Sequence, residues 1–218
     1  MTSVFAKPSY TAKAYPHRFN GSLLISTVAG GTPTDPKVAE SWLKTKLADK
    51  DDLIRDAVAE VMVERGVTAD EAAGIVDVNK HLNGFRRDEL GLYIDGRQLK
   101  ACFKEAACIR WPNEKWGPTR KGTRSFFPEH LFVVEDRLHF GVNEPSGVMQ
   151  RFVHTWRGNG IQYEEYIEEA KIDFTVITDY AFKDAEWAML WLTAEQNGLG
   201  ASRSQGFGRF EVTKWDKA

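Results

Sequence analysis

Residues 198–208 read GLGASRSQGFG, two Gly-hydrophobic-Gly units separated by five small or polar residues. The segment lies between a helical pattern, Asp184–Gln196 (DAEWAMLWLTAEQ), and a closing strand pattern, Gly206–Trp215, with Phe207, Phe210, Val212 and Trp215 as its apolar groups. Glycines permit positive φ and close approach of the main chain to a partner, and successive amides in such a turn make an anion nest. Arg203 adds a positive charge, and Ser202, Ser204 and Gln205 add donors, so the set suits phosphates. Two familiar phosphate loops are excluded. Arg203 stands at the third glycine position of G-x-G-x-x-G, and the helix–loop–strand order is the reverse of the dinucleotide fingerprint. No Gly-Lys-Ser/Thr follows, so there is no Walker loop. A turn that only reverses a helix into a strand is the competing reading of the same glycines.

The rest of the chain supplies an alternation of elements. Leu23–Val28 predicts a buried strand, broken at Gly30–Thr34. Asp35 before Pro36 suits an N-cap, with Val38 and Trp42 on one side of the helix that follows. Asp51–Arg65, ending at Gly66, predicts a second helix, and Thr68-Ala69-Asp70-Glu71 has capping-box spacing for a third. Leu90–Ile94 reads as a short strand. Gln98–Arg110 reads as a helix with Leu99, Cys102, Phe103, Ala106 and Ala107 toward the core. Glycines and prolines punctuate 111–128 too often for a regular element to be expected there. Leu131–Val134 and Arg137–Val142 predict a hairpin turning at Glu135-Asp136. Further strands are expected at Gln150–Trp156 and Ile167–Ile177, where Lys171–Val176 alternates as in a sheet with one wet face. This order predicts an α+β fold, helices on one face of an antiparallel sheet.

Charge is segmented. The net formal charge of −2 over 218 residues gives no global signal for nucleic acid or membrane. Yet Asp35–Asp95 holds fourteen Asp/Glu against nine Lys/Arg, a balance of −5, whereas Arg110–Arg124 holds five cations against Glu114, a balance of +4. The basic stretch, Arg110 to Phe127, interleaves Lys115, Arg120, Lys121 and Arg124 with Trp111, Trp116, Phe126 and Phe127. Single strands are held by that mixture, cations following the backbone and rings stacking on bases at roughly 1–3 kcal/mol each. Trp116 is the stacking candidate. The competing reading is a surface loop whose tryptophans fold back onto the core.

The pattern Gly-h-Gly-x5-Gly-h-Gly, with a basic residue inside and placed between the last helix and last strand, resembles the RAMP superfamily, the repeat-associated proteins of CRISPR systems. Gly198, Leu199, Gly200, Arg203, Gly206, Phe207 and Gly208 occupy its positions. A second match, Asp95 to Lys104, is similar to the family's Gly-Ser-Ser-h-Lys-Gly-x-h-Arg segment through Gly96, Leu99, Lys100 and Phe103. Ala101 replaces the usual glycine and Lys104 the usual arginine. The resemblance implies a ferredoxin-like (RRM-like) RNA-binding domain, most like a backbone-type subunit. It would be a single domain over 1–218 with a helical insertion at about 35–88 and a protruding basic arm at about 110–145. It implies single-stranded RNA, or DNA, as partner, with head-to-tail assembly in a homo-oligomer or multi-subunit ribonucleoprotein. The nucleic-acid-binding set is then Arg97, Lys100, Lys104, Arg110, Lys115, Trp116, Arg120, Lys121, Arg124, Gly198, Gly200, Ser202, Arg203, Ser204, Gln205, Gly206 and Gly208.

Other chemistry is thinly represented. The five histidines are scattered, none at H-E-x-x-H spacing, so no metal or other cofactor is expected. The alternative function is a metal-independent endoribonuclease processing guide-RNA precursors. Its base would be His17, since imidazole titrates near neutrality, or catalysis would involve Asp35, for which N-capping is the simpler role. A small-molecule or phosphate-binding domain using the glycine segment alone is a third class. Cys102 and Cys108, six apart on a helix, point in different directions, which excludes a disulfide scaffold and fits a reducing cytoplasm. No apolar run reaches the roughly 18 residues of a membrane-spanning helix, and the N-terminus lacks the apolar stretch of an export signal.

Overall fold

In the computed structural model, which describes residues 15–33, 50–80, 82–155 and 158–218, the apolar run Leu23–Val28 is the inner part of a longer strand, β1 (His17–Ala29). The chain continues through β2 (Thr32–Pro33), α1 (Lys50–Arg65), α2 (Ala69–Lys80), β3 (Leu82–Gly84), β4 (Arg86–Asp88), β5 (Gly91–Asp95) and α3 (Gly96–Arg110). Next come β6 (Lys115–Trp116), β7 (Lys121–Gly122), α4 (Thr123–His130), β8 (Leu131–Val133) and β9 (Arg137–His139). The last part holds β10 (Gly147–Thr155), β11 (Gly158–Thr178), α5 (Asp184–Asn197), a 3-10 turn (Arg203–Gln205) and β12 (Phe210–Lys217). Among the described residues no helix is long and apolar enough to cross a membrane. Asp35, and the helix expected to carry Val38 and Trp42, lie outside the described residues.

Two compact units divide the chain. The first holds the described residues of 1–28, 87–143 and 168–218. Its frame is β1–α3–β8–β11–α5–β12, with β12 antiparallel to β1, β1 beside β11 and β8 antiparallel to β11. That is the ferredoxin-like arrangement, a mixed α+β fold with α3 and α5 packed together on one face. Leu99, Cys102, Phe103, Ala106 and Ala107 are all buried on α3, as the helical spacing predicted. They meet Trp187, Leu190 and Trp191 of α5, with Phe103 edge-on to Trp191 at 4.7 Å between ring centroids. Phe19 of β1 stacks on Trp215 of β12 at 4.9 Å and 3°. Each large apolar side chain buried there contributes about 1.5–3 kcal/mol. On β12 the pairing register slips between Ser22/Leu23, leaving Thr213 as an extra residue. This bulge lets Val212 and Trp215, three apart, both turn inward, and it sets Lys214 opposite Ser22.

The second unit holds the described residues of 29–86 and 144–167. Its helices α1 and α2 pack on each other. Glu71 accepts hydrogen bonds from the Thr68 N–H (3.0 Å) and Oγ (2.8 Å), which is the capping box read from the sequence. Strand β10 pairs along the first part of β11, residue 147 with 166 through 155 with 158, and β3 lies parallel to β11. Phe152 on this ribbon is 83% exposed.

Two expectations about elements are corrected. The stretch 111–128 is not wholly irregular. A tight β6–β7 hairpin leads into α4, which tolerates Pro128 because its inward residues, Phe126 and Phe127, are fully buried. The hairpin expected from Leu131–Val134 and Arg137–Val142 does not form, since β8 joins β11 and β9 joins β5. Side-chain chemistry parts them. The Val134 N–H donates to the Thr175 carbonyl (2.9 Å), and the Glu135 carboxylate accepts the Thr175 N–H (2.8 Å), tying 134–135 to β11.

Candidate nucleic-acid interface

The sites below lie within the first unit. In the glycine segment all four glycines, Gly198, Gly200, Gly206 and Gly208, have positive φ. The segment folds onto its own frame. The Leu199 N–H donates to the Gly208 carbonyl (2.8 Å), and the Gly208 N–H donates to the Thr27 carbonyl of β1 (2.7 Å). Gly198, Gln205 and Gly206 also spend their amides inside the molecule. The expected anion nest therefore loses these five donors to the turn. The side chains of Ser204 and Gln205 stay exposed, and Ser202 is half-buried.

Helix α3 holds the segment in place. The Cys102 thiol donates to the Gly198 carbonyl at 3.6 Å, and burial pushes its pKa up to about 12, so it is a packed thiol and no nucleophile. Arg203 reaches Glu105, one guanidinium nitrogen at 2.6 Å. The two motifs read separately in the sequence thus meet across α3 and the segment. The other α3 cations are partly engaged as well. Arg97 pairs with Asp95 (2.7 Å), and Lys100 lies 3.7 Å over the Phe132 ring, where burial lowers its pKa. Lys104 is half-buried, and Arg110, exposed at the C-terminal end of α3, lies 3.7 Å from the Met189 sulfur.

Beyond α3 the basic stretch turns tightly. Lys115 pairs with Gly122 across β6–β7, and the Arg120 N–H closes the turn on the Gly117 carbonyl at 3.1 Å. Lys115, Arg120 and Arg124 are exposed, while Lys121 forms an ion pair with Glu129. Trp116 is a correction. It is 6% exposed, with Phe126 stacked on it at 5.7 Å and Trp111, Phe127, Tyr180 and Phe182 around it. Its indole N–H donates to Thr123 Oγ at 2.9 Å. With so little of the ring exposed and Phe126 stacked on it, Trp116 is a core residue and not a platform for a base.

His17 opens β1 and is half-buried. His130 and His139, by contrast, have carboxylates, at Asp179 (2.8 Å) and Asp88 (2.9 Å). Asp88 also accepts from Arg137 at 2.7 Å. Its desolvation, which raises the pKa, is outweighed by the hydrogen bonds from Arg137, His139 and the Leu90 N–H, which hold the carboxyl at about 2. The unfolded carboxyl titrates near about 3.9. The stabilisation is therefore complete above that pH and is lost as pH falls through about 2. Denaturant melts at neutral pH and at about pH 2.5 are expected to differ less in Asp88→Asn than in the wild type. An equal acid loss in both would mean that Asp88 is not stabilised by these partners.

The sequence reading missed one feature of the first unit. On the sheet face away from α3 and α5, β1, β11 and β12 line an open groove of about 480 Å3. Ser22 donates its hydroxyl to Asp173, Thr175 donates to Asn20 Oδ1 at 3.3 Å, and Lys171 and Lys214 flank them. Among the described residues no aromatic ring is exposed in it, and the ring of Phe174 is buried toward the helices. The alternation of Lys171–Val176 signalled a wet face, but no local signal joins residues 22 and 173.

No family model matches the chain, and no curated protein sequence matches it. Among solved structures it is similar to a chain of the cryo-EM structure of the Type III-B Cmr-beta bound to cognate target RNA. The identity is 10% and the TM-score 0.49, over 92% of this chain and 60% of that one. The chain thus spans less than two thirds of that neighbour's length. A likeness of this degree identifies neither a family nor a ligand for this chain.

Proposed function

We propose that this chain binds single-stranded nucleic acid, RNA in preference to DNA, as a RAMP-like subunit of a larger ribonucleoprotein. The observation that carries the reading is the set Lys115, Arg120 and Arg124, three exposed cations displayed by one tight hairpin and the first turn of α4. Anchoring of that hairpin through buried Trp116 holds the charges in place before a strand arrives, which lowers the ordering cost of binding. The ferredoxin-like frame, with the glycine segment between its last helix and last strand, agrees with the sequence motifs that resemble the family. Head-to-tail assembly belongs to the same reading. Glu64 and Asp70, exposed on α1 and α2, supply the opposite charge for the basic hairpin of a neighbouring copy.

The test is the salt dependence of binding to a fluorescent oligouridylate. A protein that neutralises phosphates releases counterions, about 0.7 per contact on a single strand. The triple variant Lys115→Ala, Arg120→Ala, Arg124→Ala is expected to lower the slope of log K against log salt by about 2. Affinity would fall strongly at low salt and much less at high salt. An unchanged slope in a folded variant would remove these cations from the interface and the reading with them.

A further inference from the structure

The groove on the open face of the sheet carries an inference about which nucleic acid is bound, and it rests on the reading just proposed. Sheet-face recognition of RNA ordinarily uses aromatic rings that stack on bases. Among the described residues this groove is lined by the buried hydroxyls of Ser22 and Thr175, the Asn20 amide, the carboxylates of Asp173 and Glu135, and two exposed lysines. A surface of that kind offers a base nothing to stack on. It offers a sugar-phosphate both of its needs: ammonium groups for the phosphate, at Lys171 and at Lys214, whose loose exposed pair with Asp216 at 3.7 Å a phosphate would replace, and an acceptor for a sugar hydroxyl, at Asp173.

Ser22 decides which Asp173 oxygen is free. Its buried hydroxyl donates to Oδ1, leaving Oδ2 of an exposed carboxylate as an acceptor. The bulge at Thr213 sets Lys214 opposite Ser22, so a cation of β12 stands across β1 from the carboxylate of β11. A carboxylate beside a phosphate is repulsive unless cations offset it; Lys171 and Lys214 balance the groove's two carboxylates, Asp173 and Glu135, and the second of these is already held by the Thr175 N–H. We propose that Asp173 accepts a hydrogen bond from a ribose 2′-hydroxyl and that this groove gives the protein its preference for RNA over DNA. The 2′-hydroxyl is the group by which a site tells the two apart.

The experiment measures the affinities of an oligouridylate of about 12 nucleotides and its 2′-deoxy counterpart, for the wild type, Asp173→Asn and Lys171→Ala. Asparagine keeps an oxygen for Ser22 and puts an NH2 donor where the second acceptor stood, so the fold is conserved while the acceptor is lost. The wild type is expected to bind the RNA about tenfold tighter than the DNA, as one charge-assisted hydrogen bond allows. Asp173→Asn is expected to bring that ratio near one. Lys171→Ala should weaken both oligomers alike, because a phosphate contact does not distinguish the sugars. If the wild type binds both oligomers equally, or Asp173→Asn leaves the RNA/DNA ratio unchanged, the groove is not the selective site while the nucleic-acid reading stands. Ribose 5-phosphate, followed by amide NMR shifts at Asn20–Ser22 and Asp173, separates a strand from a free sugar phosphate. Shifts without oligomer binding would make the groove a small-molecule site and overturn the proposal. Neither shifts nor oligomer binding would overturn it together with the proposed function.

Discussion

Replacing Trp116 by alanine is expected to destabilise the protein by about 3–5 kcal/mol, the cost of emptying a large buried aromatic site. For a chain of this size that is a fall in melting temperature on the order of 10 °C. The indole packs against Phe126, Phe127, Tyr180 and Phe182, and none of these rings can fill the space without leaving its own partners. Trp116→Phe is the milder change. It keeps a six-membered ring in the site and loses the N–H to Thr123, at about 1 kcal/mol, with the packing of the indole's smaller ring, so it should cost clearly less than the alanine change. Thermal melts of the two variants check this. If Trp116→Ala melts like the wild type but binds oligouridylate several-fold more weakly, the ring leaves the core to meet a base, and its assignment to the core is wrong.

Gly208→Ala is expected to cost about 3 kcal/mol through backbone strain alone. The residue sits at φ +76, and a Cβ there would overlap the Leu199 carbonyl oxygen, a main-chain atom with no rotamer to change. Both hydrogen bonds that close the segment, Leu199 N–H to Gly208 and Gly208 N–H to Thr27, run through this residue. Gly206 is the control. At φ +92 it has open space around its missing Cβ, so Gly206→Ala carries only the left-handed penalty, roughly 1–2 kcal/mol. Urea melts of the two variants read the difference directly. Equal costs would show that the segment relaxes freely at 208, and that its glycines serve φ alone.

What the amino-acid order determined by itself was whatever repeats locally. The period of Leu99, Cys102, Phe103, Ala106 and Ala107 marked α3 and its buried face correctly, because each turn of a helix reports its own neighbours. Thr68 and Glu71 announced α2 through a capping box that closes within four residues. The order of strands and helices was enough to reach an antiparallel sheet with helices on one face, whereas the ferredoxin-like frame was expected only through the family resemblance of the glycine segment. The glycine segment was legible as a place of unusual backbone, since positive φ is a property of the residues themselves.

Tertiary structure decided what those residues face. Cations and rings alternate along 110–127 in a way that suits a binding arm and a packed loop equally, and only the fold turned Trp116 inward while leaving Arg120 and Arg124 outside. Arg203 was readable as a charge inside a loop, but its partner Glu105 lies 98 residues earlier. Leu131 to Val142 had the look of a hairpin, yet β8 and β9 pair with strands that the sequence places far away, at β11 and β5. The alternation of Lys171–Val176 marked a wet face, but the meeting of Ser22 with Asp173 had no trace in the sequence, since those residues are 151 positions apart and meet only across paired strands. Local patterns encode which face of an element is apolar. Partners distant along the chain are chosen by packing, where sheet pairing and side-chain contacts compete over the whole domain at once, and no short stretch of sequence carries that outcome.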